Sequence, residues 1–161
     1  MIVGNRVHRV GAGRMFRGVA QIGIDEKGRM AIPARFRDVL ASFGDDTLVV
    51  TVNPSRCLMA FPLSQWTAIE NRVADLGMSS KAVEAFERFY VANAVDVTPD
   101  KQGRILIPPP LRKFASLDGE AIVSGRLKKF EIWTPAQWEA QQEQNMAVLA
   151  EAGPELAALG L

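Results

Sequence analysis

Histidine and cysteine are almost missing from this chain: His8 and Cys57 are one of each among 161 residues. A lone cysteine cannot close an intrachain disulfide, which suits a reducing compartment. The two lie far apart, without the C-x-x-C or H-x-x-x-H spacing of a metal site, so neither is assigned a role. No G-x-S-x-G elbow or Walker loop occurs, and Gly11-Ala12-Gly13 is too short to cradle a dinucleotide. These gaps argue against an enzyme, a cofactor or a metal. Long apolar runs are absent too: no stretch approaches the ~18 residues of a membrane span. Residues 1–13 carry Arg6 and Arg9 but not the apolar core of a secretory signal. Charge of one sign is also lacking. A net charge of +1 excludes a generic polyanion binder, while 48% hydrophobic residues are enough to bury a core.

What the chain does have is a duplication. Asp25-Glu26-Lys27-Gly28-Arg29-Met30-Ala31-Ile32-Pro33 recurs 75 residues later as Asp100-Lys101-Gln102-Gly103-Arg104-Ile105-Leu106-Ile107-Pro108. Asp, Gly, Arg, Ile and Pro fall in register, and Arg37 aligns with Arg112 at the same offset. Phe61-Pro62-Leu63-Ser64-Gln65-Trp66 aligns with Trp133-Thr134-Pro135-Ala136-Gln137-Trp138 at an offset of 72, so the loop between the anchors is shorter in the second copy. Two copies are too few for a solenoid. No low-complexity linker separates them, which favours two half-units folded against each other as one.

Asp-x-x-Gly suits a type I turn with Asp first and Gly fourth. Asp25 and Asp100 would accept backbone N–H bonds, and Gly28 and Gly103 would take the left-handed conformation. The segment Val19 to Ile24 alternates imperfectly, as a strand does, and Met30 to Ile32 and Ile105 to Ile107 are short apolar runs. The reading is two tight hairpins, with Arg29 and Arg104 leaving the glycines on the next strands. Pro33 and Pro110 are placed at helix starts, the latter because Pro108-Pro109-Pro110 should stay extended to its last member. The first helix should run to about Ser42 and stop near Gly44. Further strands are expected at Thr47–Val52, Cys57–Phe61, Ala121–Val123 and Phe130–Trp133. Helices are expected at Ser64–Leu76, Ser79–Ala92 and Pro135 to about Ala152, with the end past Gly153-Pro154 fraying. Trp66 and Trp138 read as equivalent core residues. Charge gathers around the repeated motifs: residues 14–40 and residues 100–115 each carry a net +3, leaving the remainder acidic. A local phosphate-contacting face has this distribution.

The D-x-x-G-R-x-x-I-P signature, duplicated and preceded by Met15-Phe16-Arg17-Gly18, resembles the MraZ family of bacterial transcriptional regulators from Met15 to about Trp138. The resemblance implies an α+β, mainly β fold: two tandem AbrB-like (SpoVT-AbrB) swapped-hairpin repeats fused as a pseudo-dimeric β-barrel with flanking helices. The corresponding layout is an N-terminal extension 1–14, a first repeat 15–64, connecting helices 65–92, a second repeat 93–136 and a C-terminal helix and tail 137–161. The extension lies outside the family pattern: either Met15 is the true start, the preferred reading, or a short basic tail precedes it. In that family the D-x-x-x-R element binds DNA, which by position implicates Asp25 with Arg29 and Asp100 with Arg104.

The candidate DNA contacts are therefore Arg29, Lys27, Arg17, Arg104, Lys101 and Arg37, with Asp25, Gly28, Asp100 and Gly103 bracing the turns. The implied partners are double-stranded DNA with repeated short boxes, upstream of the cell-division and cell-wall gene cluster, and further copies of the chain in a ring. No membrane or cofactor is implied, and the expected location is the cytoplasm, on the nucleoid. Three alternatives stand beside this reading. Arg29 and Arg104 could pair with Asp25 and Asp100 and bind nothing, contributing little. The chain could be an AbrB-type antitoxin that holds a toxin through its tail. It could also be an assembly protein whose repeats build a ring and never touch DNA.

Overall fold

The structure, a computed structural model, describes residues 14–77 and 80–161. The expectations for the N-terminal extension and for Ser79 fall outside these residues. The first motif lies between β1 (Val19–Gly23) and β2 (Arg29–Ala31), followed by α1 (Ala34–Ser42), β3 (Leu48–Val52) and β4 (Leu58–Pro62). Then come α2 (Leu63–Asp75), α3 (Lys81–Phe86) and a π-helical turn at Glu87–Val91. The second copy runs β5 (Val95–Val97), β6 (Arg104–Leu106), α4 (Pro109–Phe114), β7 (Glu120–Arg126) and β8 (Lys129–Trp133), with α5 (Pro135–Ala150) and α6 (Gly153–Ala158) closing the chain.

The halves interleave. Each motif's leading strand pairs with the other copy, β1 against β7 and β5 against β3, in an antiparallel six-stranded sheet ordered β1-β7-β8-β4-β3-β5. At its centre β4 meets β8, with Leu58 opposite Ile132 and Ala60 opposite Phe130 about the pair Met59–Glu131. The strands β2 and β6 form a separate two-stranded ribbon, centred on Met30 opposite Ile105. Both central pairs join equivalent positions of the duplication, so a local two-fold relates the halves.

One expectation needs correcting. The sheet is open, with β1 and β5 at its edges, and does not close into a barrel. The tight turns are present: the Asp25 N–H donates to the Arg29 carbonyl at 3.0 Å and the Asp100 N–H to the Arg104 carbonyl at 2.8 Å. Beyond the bridge between Ile24 and Met30, β2 leaves β1 to pair with β6. The inward sides of that ribbon, Met30 and Ile105, are each 1% exposed and complete the core. At the heart of the core Phe16, Phe36 and Phe130 pack with centroids 5.2–5.4 Å apart. Phe16 joins the N-terminal segment to the second copy, since its N–H donates to the Leu127 carbonyl at 2.7 Å.

Helix boundaries follow the prolines, with one shift. Helix α1 starts after Pro33 and ends where Gly44, at φ 77°, donates to the Ala41 carbonyl. Helix α4 begins at Pro109, one residue before the expected start, with Pro108 extended ahead of it just as Pro33 is ahead of α1. The first-turn N–H groups of a helix have no intrahelical acceptor, so adjacent prolines there lose nothing. The same device, Pro154 in the first turn, lets α6 form where fraying was expected. The Ser80 hydroxyl caps α3 by accepting the Val83 N–H. The two tryptophans are not equivalent. Trp66 is buried under Phe86 of α3, whereas Trp138 is half-buried, packed on Trp133, with no counterpart of α3 above it among the described residues. No helix among the described residues is long and apolar enough to cross a membrane.

Candidate nucleic-acid interface

Each turn is built around one carboxylate. Asp25 Oδ1 accepts the N–H groups of Lys27 and Arg29 at 3.0 and 2.9 Å, and the Gly28 N–H donates to the Asp25 carbonyl at 2.9 Å. Its Oδ2 accepts Nε of Arg29 at 2.7 Å. The second turn repeats the pattern: Asp100 Oδ1 accepts from Gln102 and Arg104 at 2.9 and 3.0 Å, and Oδ2 from Nε of Arg104 at 3.1 Å. Gly28 and Gly103, at φ 87° and 74°, adopt a left-handed conformation that other residues rarely take. The backbone N–H of Arg29, then its side chain, hold the Asp25 carboxyl below its ordinary range, and the backbone N–H of Arg104 leads the same effect at Asp100.

The pairing that the ion-pair alternative expects is present. Both arginines are paired, but only through Nε. Among the described residues their Nη1 and Nη2 groups make no hydrogen bond, so each keeps the end of its guanidinium fork free. That fork fits two acceptors side by side, such as O6 and N7 of guanine or two phosphate oxygens.

The ribbon sets the direction. Arg29 lies opposite Leu106 and Ala31 opposite Arg104, so these four side chains share the face turned away from the core. Leu106 is 52% exposed on that face. Arg29 and Arg104 sit on a diagonal of the ladder, about 7–8 Å apart by ladder geometry. Lys27 and Lys101 stand exposed at the turn tips beside them.

Arg17 is also exposed, but it precedes the opposite end of β1, about 20 Å along the strand from the Asp25 turn. The structure does not bring it to the ribbon. Arg37 extends from α1 over Gly103 of the other copy. Its mate Arg112, absent from the candidate list, lies over Gly28, a position that its alignment with Arg37 in the duplication could have revealed. Leu106 and Ala31 were also missed, because only the register of β2 with β6 puts them beside the arginines. Elsewhere, Cys57 is buried and its thiol is pushed up to about 12, by burial first and then by the Glu131 carboxylate. No group of three or more potential metal ligands occurs among the described residues.

These features define a class: a duplicated, strand-interleaved module that shows two carboxylate-clamped arginines on one face of a two-stranded ribbon. Residues 15–89 and 90–155 each match the family model for the MraZ protein. The chain is 46% identical over 134 residues to the transcriptional regulator MraZ of Marinomonas sp. (strain MWYL1), covering 83% of this chain and 89% of the relative. It is 42% identical over 150 residues to that of Methylococcus capsulatus, covering 90% and 99%, and 41% identical over 140 residues to that of Thiobacillus denitrificans, covering 87% and 95%. The chain belongs to the MraZ family.

Proposed function

We propose that this protein is a sequence-specific, DNA-binding transcriptional regulator that lays its β2–β6 ribbon into the major groove. One observation carries the reading: Arg29 and Arg104 emerge from the same ribbon face with their forks free and their stems held by Asp25 and Asp100. A two-stranded ribbon fits the major groove of B-DNA, and each good bidentate arginine–guanine contact is worth ~1–3 kcal/mol. Lys27 and Lys101 at the turn tips meet flanking phosphates, and Arg17 reaches backbone further out. The relatives are named transcriptional regulators, which supports the same reading.

One ribbon offers few contacts, while specific binding needs several together with a phosphate network. The chain therefore acts as a homo-oligomer, a ring whose subunits each take one short box. Its target is the promoter of the cell-division and cell-wall cluster, its own gene included, and its place is the cytoplasm, on the nucleoid. The halves at 15–64 and 93–136 act as one unit. The antitoxin reading requires a tail free to wrap a toxin, whereas α5 and α6 are folded helices.

The test is a binding titration on DNA upstream of the gene. Correctly spaced boxes should bind far more tightly than one box through effective concentration. Moving one box by half a helical turn, about 5 base pairs, should forfeit most of that gain. Affinity should fall steeply with salt as counterions are released. Equal affinity for one box and for several would contradict the array.

A further inference from the structure

Each DNA-facing turn is held by the opposite repeat, and the holding group is an arginine. A Cβ placed on Gly28 would stand 2.5 Å from Nε and 2.6 Å from Cζ of Arg112. One placed on Gly103 would stand 2.6 Å from Nη1 and 2.8 Å from Cζ of Arg37. Both guanidinium groups thus lie directly on the bare faces of the turn glycines, across the local two-fold. The backbone crosses the same way: Ile107 N–H donates to the Gly28 carbonyl at 2.9 Å, and Ile32 N–H to the Gly103 carbonyl at 2.8 Å. Arg112 also anchors its own end of that crossing, its Nε donating to the Ile107 carbonyl at 2.9 Å.

We infer that Arg37 and Arg112 are positioning residues acting across the two-fold: each lies over the glycine of the other repeat's turn and so aims that turn's arginine, Arg104 or Arg29. This rests on the reading above that the turns meet DNA, and it reassigns Arg37 from DNA contact to support. The geometry supplies the reason. Arg104 directly follows Gly103, so freedom of the glycine becomes angular freedom of the guanidinium. The arrangement also explains a double demand on the glycines, which must accept positive φ and leave room for a planar cation.

The experiment is amide hydrogen exchange on the full chain, with and without DNA, for the parent, Arg37→Ala, Arg37→Lys and Arg112→Ala. Exchange should quicken roughly tenfold at Gly103 and Arg104 in Arg37→Ala and stay unchanged at Gly28 and Arg29, with the reverse pattern in Arg112→Ala. This part needs no DNA, so it stands or falls independently of the functional reading. On DNA, Arg37→Ala should weaken binding while the slope of log affinity against log salt keeps the parent value, whereas removing a phosphate contact lowers that slope by about one. Arg37→Lys keeps the charge but loses the planar cover, and should loosen the Gly103 turn as alanine does. Loosening confined to the variant's own repeat, unchanged exchange at both turns, or full affinity in Arg37→Lys with a lowered slope in Arg37→Ala would overturn the inference.

Discussion

On the proposed function, Asp25 and Asp100 are acidic residues placed beside DNA, and their geometry gives the reason. Each carboxylate spends one oxygen on two backbone N–H groups and the other on the arginine Nε, so it shapes the turn and fixes the stem of the side chain that faces outward. Both carboxyls are held below the ordinary value of 3.8, chiefly by the backbone N–H of the following arginine. A carboxylate whose folded pKa is depressed stabilises the fold above its unfolded pKa and loses that contribution as pH falls through the folded value. The turns should therefore stay braced down to about pH 4 and loosen only in stronger acid, well below the pH of any DNA-binding assay. A carbon-detected NMR titration checks this directly, with both carboxyls expected to titrate below 3.8. Asp25→Asn should keep the turn but release Arg29, weakening DNA binding without unfolding the chain. At this scale the sequence was easily read. Asp, Gly and Arg at fixed spacing define a turn chemically, whereas the neighbour of Gly28 depends on where residue 112 returns in space.

Single elements were read well wherever local chemistry decides them. The segments Ala34–Ser42 and Leu63–Asp75 are helical and Leu48–Val52 and Leu58–Pro62 are strands, close to where proline, glycine and alternation placed them. Pairing was harder, because it is set by tertiary competition. Nothing within Val19 to Ala31 says that β1 will join β7 and β2 will join β6 rather than each other. Burial settles the choice: Met30 and Ile105 can both face the core only if their strands pair across the two-fold. The π-helical turn at Glu87–Val91 is likewise a packing result, bringing Tyr90 beside Phe86 and offering its carbonyl to the Thr51 hydroxyl at 2.6 Å. The aromatic centre should dominate stability. Phe130 is fully buried against Phe16 and Phe36, so Phe130→Ala should cost about 3–5 kcal/mol and lower Tm by roughly 10 °C, measured by calorimetry. A change within 1–2 °C would mean that these rings do not join the halves.

At the scale of the molecule, the duplication gives a single chain the properties of a small symmetric dimer. Lys27, Arg29, Lys101 and Arg104, which come from both basic motif segments, gather at one ribbon, while Arg17 stays apart from it and the sequence outside those segments is acidic. The sequence showed that there were two motifs. It could not show that they share a face, because that depends on the register of three residue pairs between β2 and β6. The most direct measurement is therefore made on that face. Arg29→Ala/Arg104→Ala removes both free forks while leaving Met30, Ile105 and the core in place. Its binding to DNA upstream of the gene, titrated beside the parent at physiological salt with Tm recorded for both, should be weakened by roughly 100-fold or more, as two lost bidentate contacts require, with Tm close to the parent's. Parent-like affinity in a folded double variant would contradict the account, because DNA would then be read by some surface other than the ribbon.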